Sequence, residues 1–174
     1  EDLSPETVAD GVRDLDSDDA VYILEDLDQE EREEILAQIP SVERIALKRS
    51  LDYPEDSAGR RMQTEFIAIA PFWTVGQTSD YLREAEELPE AFHEVFVVDP
   101  SYRLLGRVAL DRLLRAKRTQ RIEELVDELP QRVNATDELE SVARLFQRYN
   151  LISAAVVDES GRLVGPMTID DVVD

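Results

Sequence analysis

The chain has 174 residues, of which 40 are aspartate or glutamate and 19 are lysine or arginine, so its formal net charge is −21. A surface of this sign repels nucleic acid and anionic lipid, and we expect no nucleic-acid partner. The hydrophobic fraction of 43% is enough for packed cores, and the absence of cysteine excludes disulfides and thiolate metal sites. No stretch approaches the roughly 20 apolar residues that a membrane helix requires. The acidity has two interpretations, a cation-binding surface or an adaptation to high salt, and only the placement of individual carboxylates separates them.

Residues 1–52 predict a small array of short helices. Helix-start signals recur at Ser4, Ser17, Asp28 and Ser41, at intervals of 13, 11 and 13 residues. Each interval carries an apolar stripe of one or two helical turns. Helices this short are marginal on their own, so we expect them to stack on one another.

A break follows at residues 53–59, which read Tyr-Pro-Glu-Asp-Ser-Ala-Gly. Pro54 disfavours helix in the residue before it, and Gly59 permits an irregular backbone. The helical domain is therefore expected to end at residue 52.

An internal repeat occupies the rest of the chain. Residues 97–106, Val-Val-Asp-Pro-Ser-Tyr-Arg-Leu-Leu-Gly, match residues 156–165, Val-Val-Asp-Glu-Ser-Gly-Arg-Leu-Val-Gly, at a constant offset of 59. Each copy is preceded by an amphipathic helix, predicted over residues 75–82 and 139–146. With an extended segment before it and a short helix after it, each copy predicts a β-α-β-β-α unit.

The repeated strand-turn-strand resembles the cystathionine-β-synthase-type (CBS) domain, which normally occurs as an intramolecular pair. The stretch at residues 53–66 joins this pair to the acidic helical array, and together with the ending at residues 158–174 it resembles the cytosolic region of the MgtE magnesium transporter family. The fold class is then α + α/β, a small acidic helical array followed by a tandem pair of CBS domains. The resemblance implies a helical N domain truncated at its start over 1–52, a linker over 53–61, a first CBS domain over 62–120 and a second over 121–174.

What the resemblance implies is a magnesium sensor and not an enzyme. In that family the helical domain and the CBS pair lie on the cytoplasmic side of the cell membrane, beneath a pore, and the assembly is a homodimer through its CBS domains. The metal-free domains repel each other, whereas bridging Mg²⁺ ions close them and favour the closed pore. The pore is expected beyond residue 174, in a full-length integral membrane protein.

Four carboxylates are the candidate metal contacts. Asp171 and Asp174 lie three residues apart on one predicted helical segment, so they share a face and suit a small hard cation such as Mg²⁺. The family pattern implies the same role for Asp18 in the helical domain and Glu140 in the second CBS domain, with Mg²⁺ bridging Asp18 to Asp171. Each is otherwise a solvated helix-terminal carboxylate, and Asp18 also suits a helix N-terminus. Tyr22 stands where an acidic residue is usual in the family, one turn after Asp18.

An adenine nucleotide is the alternative ligand, in which case the chain is a nucleotide-sensing regulatory module. CBS pairs often hold ribose and phosphate with a Thr or Ser and an Asp three residues on, and the second repeat keeps this pair as Thr168 and Asp171. The first repeat has Ala109 and Arg112 instead. Glu94 also stands where an aromatic ring would stack on the base.

Overall fold

A computed structural model describes residues 4–13, 15, 17–128 and 131–173. In chain order the elements are α1 (Pro5–Arg13), α2 (Ser17–Glu25), α3 (Gln29–Ala37), α4 (Ser41–Asp52), α5 (Ala58–Arg61), β1 (Ala68–Ile69), α6 (Val75–Glu84), β2 (Glu94–Val98), β3 (Leu104–Ala109), α7 (Leu110–Arg115), a 3-10 turn (Ile122–Glu124), β4 (Arg132–Asn134), α8 (Leu139–Tyr149), β5 (Ser153–Val157), β6 (Leu163–Thr168) and α9 (Ile169–Val173). Within these ranges, no helix has the length and apolar character needed to cross a bilayer.

Helices α1 to α4 form the predicted helical array. Asp28 caps α3 by accepting the backbone N–H of Glu31 at 2.8 Å, whereas Ser41 begins α4 without capping it because Pro40 holds the cap position. Arg32 donates to three backbone carbonyls at the end of α2. The helices share one buried core, made of Ala9, Val12, Ala20, Val21, Leu24, Ile35, Leu36, Ile39 and Leu47. The expected stacking of short helices is therefore confirmed.

The two repeats have the same sheet topology. In the first sheet β1 runs parallel to β2, and β2 runs antiparallel to β3. Strands β4, β5 and β6 repeat this order and these directions. Val97 pairs with Gly106 and Val156 with Gly165, and the register shifts after the same residue in both sheets. The sequence offset of 59 is thus a structural repeat, and the predicted β-α-β-β-α order is confirmed.

The tight turns of the two repeats are built alike and meet each other. Asp99 and Asp158 each accept the N–H groups of the residues two and four positions later, at 2.8 to 2.9 Å. Tyr102 (φ 68°) and Gly161 (φ 79°) occupy the same left-handed position, which Gly adopts without strain. The two turns exchange backbone hydrogen bonds of 3.1 and 3.0 Å, which joins the sheets around a shared core.

In each repeat a segment of backbone crosses a strand at a glycine, and the absence of a side chain there allows the close approach. Asp127 crosses β3 at Gly106, and Gln63 crosses β6 at Gly165. A Cβ atom on either glycine would overlap the carbonyl oxygen of the crossing residue. The backbone that follows the helical array is therefore fastened to the second repeat, which positions the array beside α9.

Candidate functional site

Helix α2 docks its first turn onto the second repeat. Ser17, which is 4% exposed, accepts the backbone N–H of Thr64 at 2.8 Å and donates its hydroxyl to Gln63 Oε1 at 3.3 Å. Gln63 and Thr64 belong to the backbone that crosses β6. We call this contact the docking seam, and it consists of Ser17, Asp18, Gln63, Thr64 and Asp171.

Two carboxyl groups face each other across the docking seam. The carboxyl group of Asp18 interacts with the side chains of Asp171 and Gln63, and it shares a hydrogen bond with Asp171 only while one of the two carboxyl groups is protonated. Gln63 Nε2 also donates to Asp171 Oδ1 at 3.3 Å. The other oxygen of Asp171, Oδ2, accepts the backbone N–H of Thr168 at 2.8 Å and its hydroxyl at 3.1 Å, which fixes the carboxylate at the start of α9. Among the described residues, no partner hydrogen-bonds the buried Oδ1 atom of Asp18.

The docking seam disfavours the charged form of Asp18. Burial above all, and then the hydrogen bond and the negative charge of Asp171, raise the pKa of Asp18 from its ordinary value of 3.8 to about 6. The hydrogen bond to Gln63 opposes this shift. Near neutral pH the docking seam therefore holds two negative charges that repel each other unless a proton or a cation lies between them.

Without divalent cations, we expect docking of the helical array to weaken as pH rises. Because the pKa of Asp18 is raised on docking, the associated stabilisation is fully present below 3.8 and is lost as pH rises through about 6. Small-angle X-ray scattering in EDTA from about pH 5 to about pH 7 should show the radius of gyration increasing. Asp18→Asn should remove most of this dependence, and an equal dependence in that variant would contradict the assignment to Asp18.

The oxygen ligands that the docking seam offers are of the kind that a magnesium ion binds. Mg²⁺ takes carboxylate and water oxygens, gives up its waters reluctantly, and is usually bound through one or two carboxylates. Asp18 and Asp171 supply one carboxylate from each side, and the Oδ1 atom of Asp18, which no described residue hydrogen-bonds, is a buried acceptor. In the part of the chain that the structure describes, no group of three or more acidic, histidine or cysteine side chains gathers as a metal site. An ion here would thus keep most of its water.

The structure brings together Asp18 and Asp171 but not all four predicted metal contacts. Glu140 accepts a hydrogen bond of 3.3 Å from Arg144 one turn along α8, where both side chains are exposed. Its observed contact is that of a helix-surface ion pair, which contributes little to stability. Asp174 lies outside the described residues.

The first repeat has an ion pair at the corresponding place. Arg112, which is offset by 59 from Asp171, donates to Asp127 at 3.1 Å. Asp127 crosses β3 as Gln63 crosses β6. Opposite charges thus meet in the first repeat, whereas in the second the neutral amide of Gln63 meets the carboxylate of Asp171.

The residues considered for a nucleotide have partners of their own. Thr168 and Asp171 hydrogen-bond to each other. Glu94 accepts a hydrogen bond of 2.7 Å from Arg107, and its side chain is 14% exposed. A nucleotide would have to compete with these contacts.

Sequence reasoning missed Gln63 and the ion pairs of Glu25 with Arg60 and Arg61. Gln63 lies within the junction that carries the family resemblance, but nothing in its neighbourhood marks it as the residue between two carboxylates. The adjacent arginines were a usable signal, because a basic pair at a domain junction of an acidic chain indicates an acidic partner. The sequence could not single out Glu25 among the 40 acidic residues.

Two family models match the chain. The MgtE intracellular N domain matches residues 1–56, and the CBS domain matches residues 122–174. The magnesium transporter MgtE of Bacillus subtilis is 31% identical over 160 residues, which cover 92% of this chain and 36% of that protein. The magnesium transporter MgtE of Thermus thermophilus is 38% identical over 122 residues, covering 70% of this chain and 27% of that protein. The chain thus spans about a third of the length of these relatives.

Solved structures agree with these matches. A crystal structure of the soluble part of a magnesium transporter superposes with a TM-score of 0.88 at 29% identity, covering 99% of this chain and 67% of that one. The cytosolic domain of the Mg²⁺ channel MgtE in complex with ATP superposes with a TM-score of 0.85 at 30% identity, covering 99% of this chain and 76% of that one. The chain belongs to the MgtE family, and its helical N domain followed by a CBS pair is the architecture of the MgtE cytosolic domain.

Proposed function

We propose that this chain is the magnesium-sensing cytosolic region of a magnesium transporter. Mg²⁺ held between Asp18 and Asp171 closes the helical domain onto the CBS pair, and the closed arrangement favours a closed pore. The observation that carries the proposal is the meeting of these two carboxyl groups, from opposite ends of the chain, around a buried acceptor that has no partner among the described residues.

The physical basis is a difference in affinity between two states. When the domains are apart, each carboxylate is hydrated and binds Mg²⁺ weakly. When they are docked, both carboxylates act on the same ion, which compensates their repulsion. A ligand that binds the docked state more tightly shifts the population toward it. The proposed sensor thus needs no catalytic step.

The direct test compares magnesium with sodium at equal ionic strength. We expect MgCl₂ at neutral pH to reduce the radius of gyration and to protect residues 53–66 from proteolysis, whereas NaCl of matched ionic strength should have a much smaller effect. Repeating the measurement with CaCl₂ at the same concentration shows whether the site prefers Mg²⁺, the smaller of the two ions. Equal compaction by both salts would reduce the effect to charge screening and would remove the support for a specific site.

The proposal places the chain on the cytoplasmic side of a membrane, attached to a transmembrane pore and paired through its CBS domains with a second copy. Its support is the likeness to the soluble part of a magnesium transporter and to MgtE relatives that are much longer than this chain. Sedimentation equilibrium of the chain tests the pairing. A monomer at all accessible concentrations would argue against a CBS-mediated homodimer.

An adenine nucleotide is the second candidate ligand. It is favoured by the presence of Thr168 with Asp171 three residues on, although the two side chains hydrogen-bond to each other, and by a relative whose structure contains ATP. The ion pair of Glu94 with Arg107 opposes it. Calorimetry with ATP, ADP and AMP separates the two functions, because saturable nucleotide binding without a magnesium-specific change of shape would favour the nucleotide sensor.

A further inference from the structure

The last residue of α2 makes a second contact with the junction, distinct from the docking seam. Glu25 accepts hydrogen bonds of 3.1 Å from both Arg60 Nε and Arg61 Nη2, one on each carboxylate oxygen. The three side chains are nearly buried, with 12% of Glu25, 13% of Arg60 and 7% of Arg61 exposed. Surface ion pairs contribute little, but breaking a pair as buried as this one is strongly unfavourable.

Both arginines also contact other parts of the helical domain. Arg60 Nη1 donates to the carbonyl oxygens of Leu51 and Tyr53, at 3.1 and 2.9 Å, where α4 ends. The guanidinium carbon of Arg61 lies 3.9 Å from the centre of the Tyr22 ring, on the helix that carries Glu25. This stacking accounts for Arg61 Nη1, which is buried without a hydrogen-bond partner in the described part of the chain. The junction thus holds two helices of the domain.

Helix α5, which carries the arginines, is itself fixed to the second repeat. The backbone N–H groups of Ala58 and Gly59 donate to the carbonyls of Asp137 and Ala135 at 2.9 and 2.8 Å. Tyr53 packs against the core of this repeat and against Gly59. The helical domain is consequently attached at two places that require no metal, one at Glu25 and one at Tyr53.

The two ends of α2 differ in charge. At the docking seam two carboxylates meet, whereas at the other end one carboxylate meets two guanidinium groups. Asp18 and Glu25 are seven positions apart, which is about 10 Å along the helix. Without a cation, the first end is repelled and the second is still attracted. The helical domain, held at Glu25 and at Tyr53, can still rotate about the axis that joins these two attachment points.

We propose that Glu25, Arg60 and Arg61 form a metal-independent pivot about which the helical domain rotates when the docking seam opens. The regulatory role of the pivot rests on the proposed function, because it needs a docking seam that responds to magnesium. The attachment of the helical domain through the pivot requires no metal and does not rest on that proposal. Magnesium then sets the angle of an attached domain, and its loss does not release the domain. The side chains of Arg60, Arg61 and Tyr22 then position the helical domain.

Distances between spin labels in the full chain test the pivot. The chain has no cysteine, so labels can be attached at Val42→Cys on α4 and Ile152→Cys before β5, whose native residues are 82% and 79% exposed. Labelled protein is diluted with unlabelled protein so that distances within one chain dominate. In EDTA we expect a longer mean distance than in MgCl₂ with a similar width. Glu25→Gln should broaden the EDTA distribution at least about twofold, because rotation about one remaining point is unrestricted.

Glu43→Gln is the matched control, since it removes the same charge from an exposed pair with Arg13 in the same domain and should leave the width unchanged. Arg61→Met leaves the ion pair of Arg60 with Glu25 in place, so it should broaden the distance distribution in EDTA less than Glu25→Gln does. This variant keeps the test possible if Glu25→Gln fails to fold. A wild-type width in both variants at the pivot would overturn the inference. If wild-type distances respond equally to MgCl₂ and to matched NaCl, the proposed function fails, while the comparison in EDTA still decides the pivot.

Discussion

Asp18→Asn is expected to dock the helical domain without magnesium and to make it insensitive to the ion. The asparagine has the shape of the protonated carboxyl group that the docking seam favours, as the raised pKa of Asp18 shows. Its amide can donate to Asp171, and its oxygen can accept from Gln63. In EDTA the variant should have a radius of gyration close to that of the wild-type protein in MgCl₂.

The loss of metal response follows from charge. Two unit charges about 4 Å apart have an interaction energy of about 4 kcal/mol at an effective dielectric constant of 20. A change of about 1.4 kcal/mol in binding free energy already changes the affinity tenfold. Because the variant is already docked in EDTA, we expect little further compaction with MgCl₂, and any remaining response should have a magnesium midpoint at least about tenfold higher than in the wild type. Asp10→Asn, an exposed position on α1, carries the same charge change and should behave as the wild type. An open Asp18→Asn protein that still closes with magnesium would contradict the proposed site.

Local pattern was sufficient to predict most of the fold. The constant offset between residues 97–106 and 156–165 predicted two equivalent strand-turn-strand units, and the structure gives both the same register. Short-range signals succeed here because strands and turns are determined by neighbours a few residues apart. The capping of α3 by Asp28 was readable for the same reason.

The candidate site was only partly predictable, because its contacts join distant parts of the chain. The family pattern singled out Asp18 and Asp171, and the structure brings them together. Gln63 lies 108 residues from Asp171 in sequence, and no periodicity relates the two. Glu140 has the right charge and the right helix end, but its observed contact is with Arg144. Charge and position on an element predict a candidate, whereas packing of the domains decides which candidates meet.

Gly165→Ala is expected to destabilise the protein by about 1–3 kcal/mol, the usual cost of overpacking a filled site. The added Cβ would overlap the carbonyl oxygen of Gln63 and lie 3.1 Å from Met62 Sδ. The obstacle is backbone, which a side-chain rotation cannot relieve, so the crossing segment must move away from β6. Gly11→Ala on α1 is the control, because a Cβ there meets nothing within 4 Å and should stabilise the helix by about 0.5–1 kcal/mol. Guanidinium unfolding of the three proteins measures both changes.

Gly106→Ala separates the general cost of overpacking from an effect on the docking seam. Its Cβ would overlap the carbonyl oxygen of Asp127 in the first repeat, so we expect a loss of stability similar to that of Gly165→Ala. The crossing residue at Gly165, however, is Gln63, whose side chain contacts Asp171. Gly165→Ala should therefore also weaken compaction by magnesium, whereas Gly106→Ala should leave it close to wild type. Equal magnesium responses in the two variants would mean that the position of the crossing segment does not control the docking seam.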